Sequence, residues 1–90
     1  MKPRILTTDL PASRFIPILK GGVRPQAKEP IVMTLDEVEA LRLVDYEGLL
    51  QEEAAKRMGV SRGTVWRCLD SARKKLGAML VEGRELLISS

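Results

Sequence analysis

The chain changes character near Thr34. Beyond it apolar residues recur at helical spacing, and before it they do not. Thr34 and Glu37 form a capping box, in which the hydroxyl takes the N3 amide and the carboxylate returns to the cap amide. Asp36 and Glu37 also suit the positive end of a helix dipole. The pattern predicts a first helix over residues 34–47, stopped by Gly48. Its apolar residues Val38, Ala40, Leu41, Leu43 and Val44 cover more than one stripe. Leu41 and Val44 are expected on the core, whereas Leu43 lies well round the helix, toward the arm or a second subunit. A second helix is predicted over 51–58, with Ala54, Ala55 and Met58 inward and Gly59 at its C-terminal end. Ser61 caps a third, giving 61–81 with the cap and an end near Gly83. Residues 85–89 read as a short strand.

Residues 1–30 hold Pro3, Pro11, Pro17, Pro25 and Pro30 and show no helical period. Each proline lacks an N–H and disfavours helix at the residue before it. Arg14-Phe15-Ile16 and Ile18-Leu19 look extended, and Gly21-Gly22 signals a turn. The reading is an irregular N-terminal arm with one short strand. A single short strand is unstable unpaired, so Phe15–Leu19 and Leu86–Ile88 either pair within one chain or swap between two.

The middle of the chain carries a more specific spacing. Ala55 is small where two helices must approach, Gly59 suits the turn, and Val60 is an apolar plug. Val65 and Cys68 then anchor the next helix to the one before. This is the spacing of a helix-turn-helix, whose second helix enters the major groove. A generic three-helix bundle is the plainer alternative. The predicted fold is therefore mainly α: an arm at 1–30, then a three-helix helix-turn-helix domain at 31–90 with short terminal β-strands.

The third helix divides by angle. Val65, Cys68, Leu69, Ala72, Leu76 and Met79 form its buried stripe. Gly63, Thr64, Arg67, Asp70, Ser71 and Lys74 fall on the other side, with Arg67 and Lys74 on almost one line. The candidate DNA-binding residues are Gln51, Ser61, Arg62, Gly63, Thr64, Trp66, Arg67, Ser71, Arg73 and Lys74. Arg62 and Thr64 stand at a helix N-terminus, where amides and dipole attract phosphate. Gly63 leaves room for close approach. Arg67 is the candidate for a base edge, since guanidinium pairs bidentately with guanine. Arg73 and Lys74 suit phosphates, which position without specifying. Gln51, opening the second helix, would face the DNA backbone. Trp66, on the flank, is expected to pack against the arm rather than touch a thymine methyl or sugar. Cys68 is read as a structural thiol.

Charge sharpens this division. Residues 1–30 carry six Lys/Arg and two acids, a net of +4. Residues 31–55 carry one Arg and seven acids, a net of −6, and residues 56–90 carry eight Lys/Arg and three acids, a net of +5. A basic block on a helix is a phosphate-facing surface or simply a solvated face. With one cysteine and no histidine, the chain has no intramolecular disulfide, no usual zinc set and no Ser-His or Cys-His pair. No metal, no cofactor and no enzymatic activity are expected. No apolar run has the length of a membrane span, and no export signal is seen, so a cytoplasmic protein is expected.

Two resemblances follow from the residues. Glu52 through Val65, with Leu69 and Ala72-Arg73-Lys74-Lys75-Leu76, resembles the promoter-reading region four of bacterial sigma factors. Nearly the whole chain is similar to the small prokaryotic family called domain of unknown function 134. The likeness rests on Phe15-x-Pro17, Thr34-Leu35-Asp36-Glu37-x-Glu39-Ala40-Leu41-Arg42-Leu43, and Asp45-x-Glu47-Gly48-Leu49. It continues through Gln51–Ala55, Met58–Arg62, Ala72–Lys75 and Leu86-x-Ile88. The resemblance implies a sigma-like helix-turn-helix and DNA binding. Two positions depart from the family: Val65 stands where an aromatic is usual, with Trp66 after it, and the arm lacks a cysteine. A sigma factor also needs regions for core polymerase that ninety residues do not hold, so a stand-alone regulator is expected.

The function expected is a homodimeric transcription regulator that binds double-stranded DNA. The alternative is an interaction module that docks on a transcription component through its acidic first helix.

Overall fold

The computed structural model describes residues 10–22 and 28–89. Pro3 and Pro25 of the arm lie outside the described residues. The order of elements is β1 (Arg14–Phe15), β2 (Ile31–Thr34), α1 (Leu35–Ala40), a π-helical continuation of α1 (Leu41–Tyr46), α2 (Gln51–Met58), α3 (Arg62–Glu82) and β3 (Leu86–Ser89). Three helices are thus joined to a small three-stranded sheet. No helix among the described residues is long and apolar enough to cross a membrane.

The sheet order is β1-β3-β2. β1 runs antiparallel to β3, with Arg14 opposite Leu87 and Phe15 opposite Leu86. β2 runs parallel to β3, from Ile31 opposite Leu86 to Thr34 opposite Ser89. All three helices lie between β2 and β3 in the chain. β1 and β3 thus pair within the chain. The sequence reading left β2 unassigned. Its alternation is clear, with Ile31 and Met33 buried and Val32 and Thr34 exposed, but four residues behind a proline give too short a pattern to read. β1 is shorter than expected, and Ile16, Ile18 and Leu19 are not in a strand.

The capping box forms. Thr34 Oγ1 accepts from the Glu37 amide at 3.3 Å, and the Thr34 amide donates to Glu37 Oε1 at 2.8 Å. From Leu41 the helix widens to a π turn, in which the Glu47 amide bonds Arg42 O at 2.9 Å. The closing bond is wide too: the Leu49 amide reaches Leu43 O at 3.0 Å past Gly48, whose φ is +78°. Arg42 fastens this turn by bonding Glu39, at 3.0 Å for Nη2, and Glu47. Those bonds and charges hold its guanidinium pKa above the ordinary value.

Leu43 overturns its sequence reading. It is fully buried, in a cluster with Ala40, Ala54, Ala55, Met58, Val65 and Leu69. Ala40 and Leu43 are three apart and share the face that α2 and α3 cover. A second cluster of Ile31, Met33, Val38, Ala72 and Leu86 lies under the sheet. Leu41 packs against both clusters, so α1 is buried on two flanks and no single stripe describes it.

Candidate nucleic-acid interface

Only Gly59, Val60 and Ser61 separate α2 from α3. Gly59 takes the left-handed conformation at φ +71°, which a side chain disfavours. The Val60 amide reaches Ala55 O at 3.0 Å and the Gly59 amide reaches Lys56 O at 3.3 Å. These are the two bonds of a Schellman stop. They aim the chain so that Ser61 starts the next helix at once. Ser61 Oγ accepts from the Thr64 amide at 3.1 Å and lies 2.9 Å from Thr64 Oγ1. Ala54 and Ala55 are buried against Val65 and Leu69, so small side chains let the two helices approach closely.

α3 presents an uneven outer surface. Ser61, Arg62, Gly63, Trp66 and Arg67 are exposed at its N-terminal end, and Thr64 is half-buried. Arg67 Nη2 donates to Thr64 Oγ1 at 3.2 Å, which folds the guanidinium back along the first turn. A Cβ built on Gly63 would stand 3.6 Å from Arg67 Nη1, an ordinary contact, so the Arg67 side chain does not itself require a glycine there. Arg57, Arg62 and Arg67 form no ion pair among the described residues. Gln51 is half-buried in the first turn of α2, which has no side-chain cap.

Further along α3 the basic residues are engaged. Arg73 forks Asp45, with Nη2 at 2.7 Å from Oδ1 and Nε at 3.1 Å from Oδ2. That fork holds the Asp45 carboxyl below its ordinary pKa. Lys74 pairs with Asp70 at 3.2 Å, four residues earlier. Lys75 donates to Glu37 Oε1 at 2.8 Å. Glu37 is 5% exposed and also receives the Ser71 hydroxyl. Burial raises the Glu37 pKa, but hydrogen bonds from Lys75, Ser71 and Thr34, and the charge of Lys75, outweigh it and leave the carboxyl below its usual range.

This separates the candidate residues into two groups. Ser61, Arg62, Gly63, Thr64, Trp66 and Arg67 are gathered on the first two turns of α3. Ser71 instead turns inward to Glu37, so its place on the outer side of a helical wheel misleads. Arg73 and Lys74 are exposed but already carry acidic partners. Trp66 also departs from its reading: its side chain is not packed away but 48% exposed, on the same turns as Arg62 and Arg67. The Glu37–Ser71–Lys75 cluster was missed. The capping box points to Glu37, but nothing in the local pattern says which basic residue thirty-eight positions away meets it. Among the described residues, no group of three or more Cys, Asp or Glu is placed to hold a metal ion.

The chain has close relatives. It is 75% identical to a UPF0251 protein of Pyrococcus horikoshii over 87 residues, covering 97% of this chain and 77% of the relative. It is 68% identical to a UPF0251 protein of Pyrococcus furiosus over 77 residues, covering 86% of this chain and 69% of the relative. A UPF0251 protein of Archaeoglobus fulgidus is 52% identical over 85 residues, covering 94% of this chain and 77% of that protein. No solved structure matches the chain. A family model described as protein of unknown function DUF134 matches residues 1–90, and the chain belongs to that family.

Proposed function

We propose that this protein binds double-stranded DNA and regulates transcription, with α2 and α3 acting as a sigma-region-four-like helix-turn-helix. One observation carries the reading. Arg62 and Arg67 sit exposed on the first turns of α3 without acidic partners among the described residues, while Arg73, Lys74 and Lys75 further along are neutralised by Asp45, Asp70 and Glu37. Positive charge left open at one helix N-terminus, beside the helix dipole and the exposed Ser61 and Gly63, suits a phosphate backbone and a groove. Arg67 is the base-reading side chain, and Thr64 pre-orients it. Arg62 and Gln51 take phosphates. Trp66 lies where its ring meets sugars or a thymine methyl.

The acidic first helix does not favour the docking alternative. Glu37, Glu39, Asp45 and Glu47 are spent on Lys75, Arg42 and Arg73 within the chain. Little of its charge is open to a basic partner.

The test is selection of bound sequences from a random duplex pool. Wild-type protein is expected to enrich a short motif, and Arg67→Ala is expected to retain binding but blur that motif. A pool that stays random under low salt refutes the reading.

A further inference from the structure

The C-terminal half of α3 carries apolar groups that the chain itself does not cover. Leu80 is 79% exposed and Val81 is 86% exposed. Tyr46, at the end of the π turn, is 85% exposed. Tyr46 helps line an apolar groove of about 410 Å³ with Val38, Leu41 and Leu76, and Arg42 and Asp45 stand at its rim. Between groove and knob lies Gly77. It sits inside a 21-residue helix, where glycine is unfavourable, and a Cβ built on it meets nothing within 4 Å. Internal packing therefore gives no reason for a glycine there.

We infer that this face is where a second copy of the chain docks, with α3 crossing its partner antiparallel at Gly77. The match is self-complementary, as a two-fold interface requires. About a dyad at Gly77, Leu80 of one copy comes level with the turn of the other that carries Arg73, whose partner Asp45 lines the groove with Tyr46 and Leu76. Each copy thus offers one knob and one hole. Gly77, lacking a side chain, lets the two backbones cross closely. Fully covered, Tyr46, Leu80, Val81 and the stem of Arg73 give at most on the order of 600 Å² per copy, a ceiling that meets the roughly 1,200 Å² total at which stable interfaces begin.

The arrangement also fits a duplex, a step that rests on the function proposed above. At about 1.5 Å per residue, the middle of the Arg62–Arg67 stretch lies about 19 Å from Gly77. Two copies then hold their reading turns about 37 Å apart, against roughly 34–36 Å for one turn of DNA. Direction agrees as well. At about 100° per residue, the line of Gly63, Arg67 and Lys74 stands about a quarter turn from that of Arg73, Gly77 and Leu80. A dyad at the crossing therefore points both arginine lines to the same side.

Sedimentation of the full chain without DNA tests the interface apart from DNA binding. The wild type is expected to sediment as a dimer. Leu80→Glu, at a solvent-exposed position, is expected to weaken association at least tenfold while keeping the helical content. Gly77→Ala is expected to raise the melting temperature of the monomer, because alanine favours helix, yet also to weaken the dimer. A wild type that stays monomeric, or a dimer that both substitutions leave unchanged, overturns the inference. A monomer that still selects a single half-site overturns the dimer while keeping the DNA reading. A dimer that selects no sequence keeps this interface and sinks that reading.

Discussion

Replacing Glu37 by alanine removes the carboxylate that ties the start of α1 to the middle of α3. Two losses follow. The capping box no longer returns to the Thr34 amide, which costs about 1 kcal/mol. Ser71 and Lys75 lose a buried acceptor, which adds ~1–3 kcal/mol. The lower half of that range applies, because the Lys75 side chain is 30% exposed and water takes up part of its charge. The total is roughly 2–3 kcal/mol, or about 10–20 °C in melting temperature for a domain of this size. Glu37→Gln keeps an oxygen for the Thr34 amide and turns its NH2 toward the Ser71 hydroxyl, which can accept, but loses the charge opposite Lys75, so it costs about 1 kcal/mol. Thermal unfolding followed by far-ultraviolet circular dichroism orders the three proteins. If Glu37→Ala unfolds within ~0.5 kcal/mol of wild type, or if the glutamine variant is as weak as the alanine one, the clamp as described here is wrong. pH adds an independent arm. The folded Glu37 pKa lies below its unfolded value, so its stabilisation is whole above the ordinary carboxylate range and fades as pH falls through the folded value. The gap between wild type and Glu37→Gln is thus expected to close below about pH 4.

Two other substitutions probe the turn and the exposed ring. Gly59→Ala forces a side chain into the left-handed region and is expected to cost about 1–2 kcal/mol, read as a lower denaturant midpoint at unchanged slope. Trp66→Ala, at a half-exposed site, is expected to cost under about 1 kcal/mol in stability yet weaken duplex binding several-fold, and a large loss of stability would restore the packing role first read for it.

Most of the helical frame is legible in the residues because its signals are local. Thr34 with Glu37, Ser61, Gly48, Gly59 and Gly83 mark helix ends through the backbone that each one caps or turns. The buried stripe of α3 follows too, since Val65, Leu69 and Ala72 repeat with the helix. What escapes depends on distant partners. β2 is a strand because β3 lies beside it, and Leu86 is fifty-five residues from Ile31. The π turn shifts the phase of α1 and buries Leu43, and a regular helical wheel has no place for that shift. The inward turn of Ser71 depends on Glu37, which is thirty-four residues away. At the candidate interface, the sequence lists the basic residues of α3 as equals. Their division into engaged and open cations rests on Asp45, Asp70 and Glu37, two of them supplied by α1 and its π turn.

A salt titration of duplex binding decides whether the open arginines of α3 meet DNA. Wild type and Arg62→Ala/Arg67→Ala are titrated with the same duplex, first selected by the wild type, at several salt concentrations. If the open arginines contact DNA, the double variant binds at least tenfold more weakly and its log–log salt slope is shallower by about one to two charges. Arg73→Ala, whose guanidinium is engaged by Asp45, serves as the matched control and changes the slope least. Equal affinity and equal slope for wild type and the double variant would contradict the account.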